Sequence, residues 1–115
     1  MVSARFEYGK DFIRMDVKGH AGFAEAGKDP VCAGASILAM TVAQCIDGMA
    51  QEDKLQKKPN TRIQNGRVMV IAKPKPEFFN EALHIFWMGE TGLQLLSEAY
   101  PGNVEFKPFI EAQSA

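Results

Sequence analysis

The sequence places two residue types that together perform nucleophilic chemistry close to each other in the chain. His20 is one of two histidines, and Cys32, one of two cysteines, lies twelve positions after it. A thiolate attacks carbonyl carbon, and an imidazole can take the thiol proton and later return it to a leaving amine. The pair therefore predicts a cysteine–histidine nucleophile, provided that the fold brings the two side chains together.

The segment just before Cys32 carries a strong helix-start signal. Asp29 can cap a helix with its carboxylate, and Pro30 suits the first helical position because its missing amide hydrogen would have no partner there. Cys32 then falls in the first turn, where free amides and the helix dipole favour negative charge, so a thiol there is biased toward thiolate. The amides of Cys32 and Ala33 could also form an oxyanion hole. Besides capping the helix, Asp29 could orient His20.

Several residues around the pair could support it, and each has a structural alternative. Ser36 lies one turn after Cys32 on the same helix face, where it could hydrogen-bond the thiolate or simply pack. Phe23 could touch a substrate or anchor its own loop. Glycines in this segment suit a mobile loop that closes on a substrate, or only permit tight turns; they are Gly19, Gly22 and Gly27.

A purely structural interpretation of the pair stays open at this point. Cys32 could be a small apolar residue at a helix start and His20 a turn residue, since one sequence does not show that the two side chains meet. The second cysteine, Cys45, points to a different face of the helix from Cys32 at about 100° per residue and is predicted to lie in the core. His84 is predicted to pack, partly buried, within a second helix.

Composition narrows the classes of function. With 115 residues, 46% of them hydrophobic, the chain is predicted to form one domain, residues 1–115. A formal net charge of −1 disfavours sequence-independent binding to nucleic acid, and the lysines at 54–58 are interpreted as a solvated loop. No apolar run approaches the ~20 residues that span a membrane, and the N-terminus lacks a signal pattern. Two cysteines without a Cys-x-x-Cys pair predict a reduced, cytoplasmic protein with neither a metal nor a cofactor.

The elements that must position these residues follow from hydrophobic periodicity and turn signals. Strand patterns predict five strands, at residues 2–8, 12–18, 61–64, 67–73 and 104–110. Apolar stripes predict two helices, at about 30–50 and 77–100. Asn65-Gly66 is the strongest hairpin signal, and the run at 68–71 places the fourth strand inside the sheet. Pro108 favours either an edge position for the last strand or the end of that strand. The order strand, strand, helix, strand, strand, helix, strand predicts an α+β fold, a mostly antiparallel sheet of about five strands carrying two main helices.

The motif around the pair resembles the ribosomal-processing cysteine protease family, Prp. It consists of Gly-His-Ala at 19–21 and Gly-Lys-Asp-Pro-Val-Cys-Ala-Gly-Ala-Ser at 27–36. A weaker likeness extends to the Asn-Gly hairpin and to the Leu-Ser-Glu-Ala-Tyr-Pro end of the second helix. Pro30 stands where the family usually has an aliphatic residue, and this departure should strengthen the helix start.

The resemblance implies that Cys32 and His20 form a catalytic dyad in a small cytoplasmic homodimer. It implies a cysteine endopeptidase that removes a short N-terminal extension from large-subunit ribosomal protein number twenty-seven, cutting after aromatic residues and supporting ribosome assembly. The expected partner is this precursor peptide, whose aromatic side chains would enter an apolar pocket near Phe23. Two alternatives stay open: a non-catalytic module that binds a ribosomal protein in the same cleft, and a redox-sensing thiol at Cys32.

Overall fold

The chain forms the predicted α+β fold in the predicted order of elements. A computed structural model describes residues 1–109. The strands are β1 Val2–Tyr8, β2 Ile13–Lys18, β3 Asn60–Gln64, β4 Arg67–Ala72 and β5 Val104–Phe106. The helices are α1 Pro30–Gln51 and α2 Phe79–Ala99, and a 3-10 turn at Pro76–Phe78 precedes the second.

The five strands form one mixed sheet in the order β3-β4-β2-β1-β5. Three of the four pairings are antiparallel, which confirms the mostly antiparallel prediction, while β1 and β5 run parallel. β5 lies at an edge as predicted, but it ends at Phe106 instead of continuing to Ile110. The ladder stops with Lys107 N on Ala4 O, and Pro108 follows Lys107 directly. Because alternate N–H groups point to opposite sides of a strand, the missing N–H of Pro108 falls on the side away from β1, where proline is tolerated. Ile110 itself lies outside the described residues.

The hydrophobic core lies between one face of the sheet and the two helices. Inward side chains of neighbouring strands meet in register, with Met15 opposite Val70 and Val17 opposite Val68. β4 is an internal strand with four buried residues, as predicted. The largest fully buried side chains come from both layers: Phe86, Ile13, Met15, Ile46, Met49, Leu93, Val31, Val70, Val104 and Pro74.

The predictions for Cys45 and His84 are wrong. Cys45 is exposed on α1, because the buried face of that helix passes through Val42 and Ile46 and leaves Cys45 on the other side. His84 is exposed on α2, since Phe86 occupies the core side of that turn. The His84 ring lies edge-on to Trp87 with 5.4 Å between centroids, so this histidine contributes to the surface of the helix.

Helix α1 has the length and composition of a membrane span, with a mean hydropathy of 1.4 over its most apolar window. The prediction that no apolar run reaches this length is therefore wrong for α1, in which Asp47 is the one charged residue. In the described structure, α1 packs through its buried side chains against β4 and α2.

The two helices approach each other closely where α2 carries glycines. A Cβ built on Gly89 would lie 2.3 Å from Val42 Cγ2, and one built on Gly92 would lie 2.5 Å from Leu38 Cδ2. Real Cβ contacts do not reach such distances. Because Gly89 and Gly92 have no side chains, α1, which carries Cys32, can pack closely against α2.

Candidate active site

The side chain of Asp29 ties the start of α1 to the loop before it. Its Oδ1 accepts hydrogen bonds from Val31 N at 2.9 Å and Cys32 N at 3.0 Å, which confirms the predicted helix cap. Its Oδ2 accepts from Phe23 N at 2.9 Å and Ala24 N at 3.1 Å. Burial alone would raise the pKa of this carboxyl, but the four N–H donors together hold its pKa below the ordinary value. One carboxylate thus shapes both the helix start and the loop.

The sulfur of Cys32 is half-buried in the first turn of α1 and accepts a backbone hydrogen bond. Ala21 N lies 3.2 Å from Cys32 Sγ. An N–H placed here can stabilise negative charge that develops on the sulfur. The amides of Cys32 and Ala33 both donate to Asp29, the second to its carbonyl oxygen at 3.0 Å. The two N–H groups predicted to form an oxyanion hole are therefore engaged with Asp29 in this conformation.

His20 is exposed just after the end of β2, and its ring packs against the β3–β4 hairpin. Gly19 N donates to Gly66 O at 2.8 Å, in the turn that joins β3 to β4. A Cβ built on Gly66 would lie 2.9 Å from His20 Nε2, so the imidazole rests against this turn. Met1 N donates to His20 O, two positions beyond the Ser3–Lys18 pair in the β1–β2 register. Both the backbone and the ring of His20 are thus held by the sheet.

His20 and Cys32 line one cavity of about 450 Å³. Its walls are the loop at 19–29, the start of α1 and the β3–β4 hairpin. Asp29 also lines this cavity, and its hydrogen bonds run to backbone amides of its own loop and helix. The structure therefore brings the predicted nucleophile and base into one cleft.

Further predicted residues and two apolar side chains complete the lining. Ala33 and Ser36 are exposed on the α1 wall, on the side that faces the cavity. Met40 and Ile63 are 43% and 53% exposed and add apolar surface from α1 and from β3. Clefts that combine apolar walls with a few polar groups are suited to binding a peptide side chain.

The loop between His20 and Cys32 is anchored by an aromatic contact. The half-exposed ring of Phe23 lies edge-on to Tyr100 with 5.0 Å between centroids, and it does not line the cavity. Of its two interpretations, the anchor is the one that the contacts favour. Gly19 and Gly22 have φ of +105° and +70°, which other residues rarely adopt. That this loop closes on a substrate stays a prediction.

Three residues around the site were not identified from the sequence. Ala21 supplies the hydrogen bond to the sulfur, and Asn103 Nδ2 donates to Ala21 O at 2.9 Å. Gly66 provides the space for the His20 ring. The Asn-Gly pair predicted a turn, but only the strand order shows that this turn faces His20. Asn103 is 82 positions from Ala21, and no local pattern marks it.

Among the described residues, the ionisable side chains that line the cavity besides Cys32 are His20, Asp29 and Arg67. Arg67 forms two hydrogen bonds of 3.0 Å with the carboxylate of Asp16, and these bonds, with the charge of Asp16, raise the pKa of the guanidinium. Within residues 1–109, no three His, Cys, Asp or Glu side chains are grouped closely enough to hold a metal ion.

Known proteins share this sequence pattern and this fold. The sequence profile of the cysteine protease Prp family matches residues 1–105. A crystal structure of an essential ribosomal processing protease Prp from S. aureus, in complex with a covalently linked product peptide, has a TM-score of 0.75 at 22% identity; the match covers 95% of this chain and 100% of that chain. The S. aureus protease in complex with a substrate peptide has a TM-score of 0.67 at 21% identity, with the same coverage. SMU.848 from Streptococcus mutans has a TM-score of 0.67 at 25% identity, over 95% of this chain and 94% of that chain. No curated protein sequence matches the chain.

Proposed function

This chain belongs to the cysteine protease Prp family, and from that premise we propose that Cys32 is its nucleophile and His20 its general base. The observation that carries the assignment is that both side chains line one cavity. Cys32 also has an N–H donor on its sulfur, which can stabilise negative charge that develops there during reaction. His20 is exposed and lines that cavity, so its ring is accessible from the cleft.

The reaction then proceeds through an acyl-enzyme. His20 takes the proton of the Cys32 thiol, and the sulfur attacks the carbonyl carbon of the scissile peptide bond. The C–N bond breaks, protonated His20 gives its proton to the leaving amine, and a thioester remains on Cys32. Water, deprotonated by His20, hydrolyses the thioester and restores the thiol. The Ala21 N–H stabilises the sulfur whenever it carries negative charge.

The substrate that we propose is the precursor of large-subunit ribosomal protein number twenty-seven, cut after an aromatic residue to remove its N-terminal extension. The support is that relatives of this fold from S. aureus are ribosomal processing proteases with a substrate or product peptide bound. The apolar side chains of Met40 and Ile63 beside the proposed dyad suit an aromatic side chain. Such a protease would act in the cytoplasm, where ribosomes assemble, and would do so as a homodimer.

The experiment that tests this function uses the purified chain and the precursor protein, with product masses measured over time. We expect two products whose masses locate the cut after an aromatic residue. Cys32→Ala should abolish cleavage, while Cys45→Ala, which removes the other thiol from an exposed position on α1, should leave it intact. His20→Ala should lower the rate by roughly 10²–10⁴-fold. Cleavage by Cys32→Ala at the normal rate would disprove the nucleophile assignment. Precursor binding without any cleavage, unaffected by both site variants, would instead identify a binding module.

A further inference from the structure

The backbone of Ala21 connects the nucleophile to the turn that follows α2. Its N–H donates to Cys32 Sγ at 3.2 Å, and its carbonyl accepts from Asn103 Nδ2 at 2.9 Å. Ala21 is only 2% exposed, although His20 before it and Gly22 after it are both exposed. Within an exposed segment, Ala21 is therefore the residue whose two backbone groups are both held by distant parts of the chain.

Asn103 is itself held firmly enough to serve as an anchor. Its backbone N donates to Tyr100 O at 2.9 Å, and its carbonyl accepts from Val2 N at 2.8 Å. The residue is half-buried, and the buried Val104 follows it at the start of β5. Because the sheet edge and the turn already fix its backbone, little freedom is lost when the Asn103 side chain binds Ala21.

We propose that Asn103 is a positioning residue for the Cys32 nucleophile, acting through the peptide groups of Ala21. The inference rests on the proposed function, in which Cys32 attacks the substrate. Gly19 and Gly22 flank the segment at positive φ, and glycine rotates more freely than other residues. The Ala21 N–H shares a planar peptide group with His20 O, which Met1 N holds, and Asn103 holds the peptide group that follows. Asn103 therefore restrains Ala21 from its C-terminal side, and loss of this bond would loosen the alignment of the N–H with the sulfur, which weakens a hydrogen bond steeply.

The test measures the reactivity of the Cys32 thiol directly, so that it does not depend on finding the substrate. Iodoacetamide alkylation of Cys32 is followed by mass across a range of pH, in a Cys45→Ala background because Cys45 is an exposed thiol. Asn103→Ala should move the pH midpoint of alkylation upward and lower the rate below the midpoint by about threefold to tenfold. The other ionisable side chains that line the cavity, His20, Asp29 and Arg67, are the same in both proteins, so the shift reports the lost donor.

The control is Asn80→Ala, which removes an exposed asparagine side chain at the other end of α2 and should leave the midpoint unchanged. If Asn103→Ala does not fold, Asn103→Ser replaces it, since serine keeps the turn but its shorter side chain does not reach Ala21 O. An unchanged midpoint in the folded variant would overturn the proposal, as would a rate loss of equal size at every pH. If Cys32→Ala still cleaved the precursor, the proposed function would fail, while the alkylation profile would still report whether Asn103 acts on the sulfur.

Discussion

The imidazole of His20 occupies the space that a side chain at Gly66 would fill. A Cβ on Gly66 would lie 2.9 Å from His20 Nε2 and 3.3 Å from His20 Cε1. Gly66 also has a φ of +78°, which the hairpin turn requires. A glycine is therefore needed at this position for two independent reasons. The turn requires a positive φ, and the ring of the proposed base His20 needs the space that a side chain would fill.

Gly66→Ala should displace the His20 ring and lower kcat/KM for the precursor by about tenfold or more, because catalytic groups tolerate little misplacement. The variant should also lose roughly 1–2 kcal/mol of stability, since the left-handed backbone disfavours alanine. Gly27→Ala supplies the matched control: its φ is +85°, but nothing lies within 4 Å of the added Cβ. Cleavage kinetics and urea unfolding of both variants check the prediction. An equal loss of activity in both would attribute the effect to backbone strain alone.

Asp29→Asn should destabilise the protein at neutral pH, because one amide oxygen replaces two carboxylate oxygens that each accept two N–H groups. The pKa of Asp29 is lowered in the folded state. Its contribution to stability is therefore present above the ordinary value of 3.8 and is lost as the pH falls through the lower folded value.

Urea unfolding from pH 7 to pH 2 measures this difference. The stabilities of the wild type and Asp29→Asn should differ at neutral pH and converge below about pH 4. Asp47→Asn is the control, since Asp47 is an exposed residue of the same helix whose carboxylate accepts one bond from Gln51. A constant gap between wild type and Asp29→Asn at every pH would contradict the assigned role of the carboxylate.

The parts of the fold that depend on neighbouring residues were predictable from the sequence. The Asp29-Pro30 start of α1, the alternation in β1 and the Asn65-Gly66 turn all act within a few residues, where propensity and capping decide the outcome. The strand order was not predictable, since the parallel pairing of β1 with β5 joins opposite ends of the described chain. Pro108 is compatible with the edge position of β5, because its missing N–H falls on the side away from β1.

In the proposed site, too, the features that depend on nearby residues were predictable from the sequence and the long-range contacts were not. The capped environment of Cys32 is local and was derived from the residues before it. The position of the His20 ring depends on the space at Gly66. The hydrogen bond to the sulfur comes from Ala21, whose carbonyl is in turn bound by Asn103. Contacts of this kind depend on how the sheet brings distant segments together, so the spacing of residues in the sequence does not predict them.

Tyr8→Phe should make the protein less sensitive to alkaline pH. The Tyr8 hydroxyl donates to Glu90 Oε1 at 2.6 Å, and this bond joins the end of β1 to α2. Burial, the hydrogen bond and the charge of Glu90 all raise the pKa of Tyr8 well above 10.0. The contribution of this group to stability is therefore full below the ordinary value of 10.0 and is lost as the pH rises above it.

Ultraviolet titration checks the Tyr8 prediction. The tyrosinate absorbance that is missing from Tyr8→Phe should arise in the wild type only well above pH 10, if the fold survives to that pH. Glu90→Gln keeps an acceptor oxygen but removes the charge, so it should bring the Tyr8 titration back toward the ordinary range. A Tyr8 signal that titrates near pH 10 in the folded wild type would show that the hydroxyl does not hold this bond in solution.

Gly89→Ala should destabilise the packing of α2 on α1 by up to about 2 kcal/mol, which is the balance of two opposing effects. Alanine is favoured over glycine in a helix by roughly 0.8–1.0 kcal/mol. Overpacking a filled interior typically costs about 1–3 kcal/mol, and the new Cβ would lie 2.3 Å from Cγ2 of the buried Val42. Gly48→Ala isolates the first effect, since its Cβ would meet nothing within 4 Å on α1, and it should raise stability.

A double-mutant cycle with Val42→Ala then isolates the second effect. Removing the Val42 methyl groups makes room for the Gly89→Ala side chain, so the double variant should be more stable than the sum of the two single losses predicts, by about 1 kcal/mol or more. Thermal and urea unfolding of the four proteins give the coupling energy. Additive losses would show that the two helices move apart to accept the methyl group, and that the close approach at Gly89 does not set their spacing. Coupling of the expected sign would show that this glycine determines how near α1, with Cys32 at its start, lies to α2.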